Sequence, residues 1–231
     1  MKKIILSSLL AISVLSFSAC QSQAAYVERP MPTEKLVNNQ LPDIPEALLK
    51  PIPISNMKSP TGKDDFTKFF KWMSDTNSTF MPNFEEQLLS SCEKFCGDLD
   101  KKNIKMVIED YKQNVWNQSE KEVKQLTELK AKVKDKEVKA IIQYLIDVYH
   151  FSMDSWAKMA NTYIKPEKAS ADEFRLFKEK NIEFERKAQP IKNIFLNAIS
   201  KFMKKLLLST LFIMCVASSF AQSNQVVKEP E

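Results

Sequence analysis

Residues 138–163 have the sequence VKAIIQYLIDVYHFSMDSWAKMANTY, and this stretch decides the fold. Eight side chains recur along it at alternating steps of four and three residues: Val138, Ile142, Leu145, Tyr149, Ser152, Trp156, Met159 and Tyr163. This heptad spacing predicts a long α-helix that packs lengthwise against other helices. Pro166 follows closely, and a proline cannot continue a helix, so we expect the helix to end just before it.

Helical spacing of apolar residues also continues on both sides of this stretch. It predicts further helices at about residues 61–73, 83–96, 101–134, 170–189 and 191–202. Ser170 and Glu173 form a capping-box pattern, and Pro190 is expected to break or kink the chain. The sequence therefore predicts an all-α fold, an antiparallel bundle of five or six helices.

The composition excludes several classes of protein. The 231 residues are 44% hydrophobic and 27% charged, which is ordinary for a globular chain. Only two glycines and one histidine occur, so glycine-rich phosphate loops and multi-histidine metal centres are not expected. Much of the net charge of +5 comes from lysines near the two ends, and we expect no nucleic-acid partner.

The N-terminus has the pattern of a secretory signal over residues 1–19. Two lysines precede an apolar run that ends in Phe17-Ser18-Ala19-Cys20. This tetrapeptide resembles the lipobox of bacterial lipoproteins, which implies a fatty-acylated Cys20 that binds membrane lipid. Gln21 stands where the family's inner-membrane retention signal has Asp, which implies the outer membrane. The alternative is cleavage after Ala24, which would leave a soluble periplasmic protein.

Residues 20–60 are predicted to form a lipidated, proline-rich tether. Seven of the eleven prolines lie here, at positions 30, 32, 42, 45, 51, 53 and 60. Prolines at this density favour extended backbone, and forty such residues could reach on the order of 100 Å. The alternative is an arm that lies on the bundle, docked through Leu41, Ile44, Leu48, Leu49, Ile52 and Ile54, with a short helical turn at residues 47–49.

Residues 203–231 repeat the pattern of the N-terminus, with a basic start, an apolar run and small residues before Gln222. They are predicted to be a second signal-peptide-like segment, foreign to the bundle at 61–202. The alternative is a short membrane segment, although the run of sixteen apolar or small residues is shorter than the ~20 that a spanning helix needs.

The candidate chemical groups are few. His150 has Asp147 and Asp154 within four residues, which is typical of an ordinary surface histidine beside its ion partners. Cys92 and Cys96 could form a disulfide at a helix end, remain buried thiols, or bridge to another chain or a metal. No cofactor, no metal site and no catalytic residue are predicted from the sequence.

The remaining charged and aromatic residues are predicted to be structural. Carboxylate pairs such as Asp64-Asp65 are interpreted as helix-start or surface residues. The lysines between residues 121 and 139 are interpreted as a solvated helix face. Trp72, Trp116 and Trp156 are expected in the core.

Residues 41–53, LPDIPEALLKPIP, resemble the proline-rich stretch of phage outer-membrane spanins, lipoproteins that help to fuse two membranes during host lysis. The sequence as a whole predicts a membrane-anchored envelope lipoprotein that acts as a binding or interaction module for an unknown envelope protein. It is expected not to be an enzyme. A helical envelope hydrolase and a spanin-like lysis protein are the alternatives.

Overall fold

The computed structural model describes residues 25–54, 60–76, 109, 112–164 and 171–223, without the side chains of residues 60, 171, 174 and 209–223. Within these ranges the chain is all-α, and no strand occurs. The predicted fold class is confirmed. The predicted helix at 83–96 lies outside the described residues, as do Cys20, Cys92, Cys96 and Ser170.

Five α-helices occur in the described part of the chain. They are α1 (Glu46–Leu49), α2 (Pro60–Asp75), α3 (Asn117–Lys132), α4 (Lys136–Tyr163) and α5 (Ala171–Ser223). A short 3-10 turn covers Val37–Asn39, and a π-helical turn at Lys112–Trp116 leads into α3. The bundle consists of α2 to α5, and α1 lies in the arm that precedes it.

Helix α4 is the central element of the bundle. All eight residues of its predicted seam are buried, as are further residues on its other sides, including Ile141, Val148, Met153 and Ala157. Because α4 contacts α1, α2, α3 and α5, it is covered over most of its circumference. A helix that is apolar on several faces is expected at the centre of a bundle.

Ring contacts show the direction of the neighbouring helices. On α5, Phe177 packs edge-on against Trp156, and the later Phe184 packs against the earlier Phe151. Helices α4 and α5 are therefore antiparallel. Near the far end of α5, Phe202 stacks on Phe66 of α2 with ring centroids 4.9 Å apart.

The turn between α3 and α4 is held by two carboxylates. Asp135 caps α4, because its Oδ1 accepts the backbone N–H groups of Glu137 and Val138 at 2.9 and 3.0 Å. Asp65 on α2 is buried, and its Oδ2 accepts the backbone N–H groups of Lys134 and Asp135 at 2.7 and 2.9 Å. The interpretation of Asp65 as a helix-start or surface residue was wrong, because Asp65 lies beyond the first turn of α2, is buried and joins α2 to the turn between α3 and α4.

Pro190 does not break the chain between the last two predicted helices, because α5 continues through it. Proline inside a helix removes one hydrogen bond and costs about 3 kcal/mol. Here Pro190 is exposed, so the unbonded carbonyl group can face water, while Ala188, Ile191 and Phe195 are buried on the opposite side. Burial of a large apolar side chain contributes about 1.5–3 kcal/mol, and several such residues offset the cost of the proline.

Helix α5 also continues past residue 202, where the predicted bundle ends. Met203 packs against the core, whereas the side chains of Leu207 and Leu208 are 59% and 66% exposed. Within the described residues, no helix combines the length and the apolar character needed to cross a membrane.

The residues before α2 form an arm that lies on the bundle. An outbound limb, residues 25–39, runs along α4 from His150, which contacts Tyr26, to Tyr163, which contacts Asn39. A return limb, residues 41–54, turns back, and Leu48 reaches Tyr144. The alternative of a docked arm is therefore the correct one over residues 25–54, and the short helical turn at 47–49 lies within α1.

Candidate functional site

The outbound limb is attached to the bundle through side chains of α3 and α4 and of the turn before α3. Three backbone carbonyl groups of the limb accept hydrogen bonds: Arg29 from Trp116 Nε1 at 2.9 Å, Pro32 from Asn161 Nδ2 at 2.6 Å, and Asn39 from Tyr163 OH at 3.0 Å. The N–H of Leu36 donates to Thr162 Oγ1 at 2.6 Å. An extended, proline-rich backbone has no internal hydrogen bonds, so its carbonyl groups are available to such donors.

The centre of this attachment is a cluster that we call the clasp: Tyr26, Arg29, Trp116, Glu120, His150 and Asp154. Glu120 on α3 is only 1% exposed and accepts three hydrogen bonds from the arm. Its Oε2 accepts Tyr26 OH at 2.6 Å and the backbone N–H of Arg29 at 2.7 Å, and its Oε1 accepts Arg29 Nε at 3.0 Å. Three donors, one of them charged, offset the cost of burying this carboxylate.

Arg29 links Glu120 to α4. Its Nη1 donates to both carboxylate oxygens of Asp154, at 3.1 and 3.2 Å. Its guanidinium also lies over the ring of Trp116, 5.4 Å from the centroid, within the range of a cation–π contact. Arg29 and Asp154 remain 32% and 42% exposed, so water screens this second ion pair more than the first.

The hydrogen bonds of Tyr26 determine which ring nitrogen of neutral His150 carries the hydrogen. The hydroxyl has a single hydrogen, which it donates to Glu120, and the same oxygen lies 3.2 Å from His150 Nε2. His150 therefore donates to Tyr26 from Nε2, and the neutral ring has its hydrogen on that nitrogen. The two rings are also stacked, with centroids 6.1 Å apart.

The environment of the clasp shifts the pKa values of its groups. Burial, followed by the charge of Arg29, lowers the pKa of His150 below its ordinary value, although Glu120, Asp154 and Asp147 oppose this. Burial and the bond to Glu120 raise the pKa of Tyr26. Burial disfavours the Arg29 cation, but Asp154 and Glu120 outweigh it and the pKa of Arg29 is raised. The clasp therefore favours neutral His150 and Tyr26 beside charged Arg29.

The return limb is attached mainly by apolar side chains. Leu41 and Leu48 are buried, and Ile44, Ile52 and Ile54 pack against the core. One polar contact accompanies them, in which Tyr144 OH donates to the carbonyl of Leu48. Burial raises the pKa of Tyr144 to about 12, so this hydroxyl keeps its hydrogen at physiological pH.

The clasp can hold an extended chain, and its chemistry is that of binding. Both acidic side chains form ion pairs with the guanidinium of Arg29, which lies between them and compensates one of their two negative charges. Trp116 supplies a hydrogen-bond donor and an aromatic face. Among the described residues, no group of three histidine, cysteine or acidic side chains could hold a metal ion.

The structure brings together only some of the residues singled out from the sequence. His150 and Asp154 meet in the clasp, but His150 is half-buried and bonded to the arm rather than an ordinary surface histidine. Trp116 and Trp156 are buried as expected, whereas Trp72 is half-buried and donates to Gln125. The acylation site Cys20 and the cysteines Cys92 and Cys96 lie outside the described residues.

Sequence reasoning missed Glu120, Tyr26 and Arg29. A signal for Glu120 was present, because it lies four residues after Trp116 and three before Val123, in the phase of the buried face. An acidic residue at such a position indicates a buried cationic or hydrogen-bonding partner. No comparable signal marks Tyr26 and Arg29, which lie in irregular chain.

The comparisons with known proteins assign no family. No protein-family model, no curated protein and no solved structure matches the chain. The function must therefore be argued from the chain's own residues.

Proposed function

We propose that the chain is an envelope lipoprotein, anchored in the outer membrane through an acylated Cys20, that acts as a binding or interaction module. The observation that carries this proposal is the position of the clasp. Tyr26 and Arg29 follow Cys20 by six and nine residues, and both are bonded to the bundle. The first attachment point thus lies directly behind the proposed anchor.

This position determines how far the bundle can lie from the membrane. Six extended residues span at most roughly 20 Å, compared with the ~100 Å that a free tether of forty residues could reach. A docked arm therefore keeps the bundle beside the membrane surface. Such a placement suits a module that meets its partner at that surface.

The outer face of α5 supports a role in binding. Ile182, Leu196 and Leu207 are exposed, and their separations of 14 and 11 residues are close to whole numbers of helical turns. These apolar side chains therefore share one face, opposite the buried residues Phe184, Phe195 and Phe202. Both carboxylates of the clasp are paired with Arg29, so the clasp gives the hydrolase alternative no support.

The anchor is tested by Cys20→Ala, with Cys92→Ala as the matched control. We expect Cys20→Ala to abolish labelling by a fatty-acid analogue and to move the protein from the membrane to the soluble fraction. The control should retain both properties. Unchanged labelling and membrane pelleting of Cys20→Ala would contradict the proposal.

The binding role is tested with a photo-crosslinking amino acid at Leu196. We expect an adduct of defined mass in cells, and none when the same amino acid replaces Lys187, which is also exposed but lies on a different face of α5. Identical adducts at both positions would indicate non-specific contact and would contradict a defined binding face.

A further inference from the structure

The two limbs of the arm differ in what attaches them to the bundle. Among the described residues, the outbound limb has one fully buried apolar side chain, Leu36, and two that are partly buried against the core, Tyr26 and Met31. Its hydrogen bonds to the bundle all involve side chains. The return limb has Leu41 and Leu48 buried and three isoleucines packed against the core. Hydrogen bonds to the bundle can be replaced by hydrogen bonds to water at small net cost. Exposing a buried leucine to water has no such compensation.

A turn separates the limbs. Asn38 and Asn39 both have positive φ, 51° and 57°, in the left-handed region that asparagine tolerates better than most residues. The turn is closed by one backbone hydrogen bond, from the N–H of Gln40 to the carbonyl of Val37. A short turn of this kind can change its dihedral angles without disturbing the leucines that follow it.

The edge of the clasp is open to water. The side chains of the Arg29–Asp154 and Lys124–Glu28 pairs are about one third to one half exposed, and in the Lys158–Glu34 pair the lysine is 33% and the glutamate 75% exposed. Exposed ion pairs of this kind each contribute about 0–1 kcal/mol. Among the described ion pairs of the arm, Arg29–Glu120 has the most buried carboxylate, 1% exposed, so water screens this pair least.

We propose that the outbound limb is a strap that detaches from the bundle as a unit while the return limb stays docked, with the bonds to Glu120 as its lock. The detached strap leaves the four-helix core intact, because no helix of the bundle lies within residues 25–39. The docked and detached states differ in the length of free chain before the first fixed residue.

This difference sets the reach of the bundle, an effect that rests on the proposed acylation of Cys20. With the strap docked, the first attached residue, Tyr26, lies six positions after Cys20. With the strap detached, the first buried residue is Leu41, and 21 residues span at most roughly 70 Å. Docking and detachment of the strap would therefore move the module between the membrane surface and a position farther from it.

Hydrogen exchange of the full chain, purified in detergent, tests the strap without reference to the lipid. The amides of Arg29 and Leu36 report on the strap, that of Leu48 on the return limb, and that of Ile142 on α4. We expect the strap amides to exchange at least ~100-fold faster than the other two, as a separate opening unit. Equal rates in the strap and the return limb would overturn the proposal.

The lock is tested by Glu120→Gln, which places an amide N–H against the donors of Tyr26 or Arg29. We expect the strap amides to exchange at least ~10-fold faster, with Leu48 and Ile142 unchanged. Glu128→Gln, an exposed carboxylate on the same helix, is the matched control and should change none of the rates. If Glu120→Gln accelerated exchange at Ile142 to the same degree, the carboxylate would stabilise the whole bundle and the lock would be excluded.

A milder variant keeps the test valid if Glu120→Gln fails to fold. Tyr26→Phe removes one bond to Glu120 from the arm side and leaves the bundle unchanged. It should accelerate the strap amides alone, and no selective acceleration would argue against the lock. Fatty-acid labelling in the Cys20→Ala experiment tests the anchor, whereas hydrogen exchange tests the strap. Failure of one proposal can therefore be distinguished from failure of the other.

Discussion

The two limbs of the arm have similar composition but are attached to the bundle by different means. Both contain prolines and extended backbone, yet the outbound limb is bonded through Tyr26 and Arg29 and the return limb is packed through Leu41 and Leu48. Proline content therefore determines the conformation of the backbone but not its place in the fold. Side chains between the prolines determine whether a segment remains free, binds by polar contacts or joins the core.

The largest effect is expected in the return limb. Leu48→Ala should lower the free energy of unfolding by about 2–5 kcal/mol, because it removes a buried side chain and leaves a cavity. Leu49→Ala is the adjacent control, since Leu49 is 44% exposed, and it should cost less than about 0.5 kcal/mol. Chemical denaturation measures both. Equal, small losses would show that the return limb is not part of the core.

A buried polar contact within the bundle shows how much such a contact contributes to stability when the arm is not involved. Asp65→Ala should cost about 2–3 kcal/mol, because two backbone N–H groups lose a charged acceptor. Asp64→Ala, an exposed neighbour, should cost less than about 0.5 kcal/mol. If Asp65→Ala cost no more than Asp64→Ala, buried polar bonds would stabilise this chain less than the comparison of the two limbs assumes.

Acid should weaken the same contact. Burial opposes the charge of Asp65, but the N–H groups of Asp135 and Lys134 outweigh it and hold its pKa below the ordinary 3.8. The contribution of Asp65 is therefore complete above about pH 4 and is lost as the pH falls toward the lowered pKa. Asp65→Ala should lack this part of the acid transition.

The sequence predicted the fold better than it predicted the clasp. The heptad spacing of α4 is a repeated, local signal, and all eight of its residues are buried as expected. The clasp instead joins Arg29 to Glu120 across 91 positions, and no periodicity links such a pair. Of these two residues, only Glu120 could have been noticed from its neighbours in sequence, because it is a charged residue on the apolar face of α3.

The continuity of α5 shows a second limit of local reasoning. Pro190 is a helix breaker by propensity, and it was expected to break or kink the chain between the last two predicted helices. Whether the helix continues depends on which way the proline faces, and that depends on packing against α4. The buried residues on either side of Pro190, Ala188 and Ile191, show that packing prevails here.

A smaller effect is expected from the pH dependence of the outbound limb. The pKa of His150 lies below its ordinary value of 6.5, so an undocked His150 binds a proton at a higher pH than the docked one. Attachment of the outbound limb is therefore complete above about pH 6.5 and weakens as the pH falls below it. Exchange of the Arg29 and Leu36 amides, corrected for intrinsic rates, should show this weakening, and His150→Gln should remove it. A weakening that persisted unchanged in His150→Gln would assign it to another group.

The central claim is that Arg29 and Glu120 attach the arm to the bundle, and a double-mutant cycle measures it directly. The free energy of unfolding is compared for the wild type, Arg29→Ala, Glu120→Gln and the double variant, with Arg29→Ala and Glu128→Gln as the control cycle. The account predicts a coupling of at least about 1 kcal/mol between Arg29 and Glu120, and none in the control cycle. A coupling within about 0.3 kcal/mol of zero for Arg29 and Glu120 would contradict it.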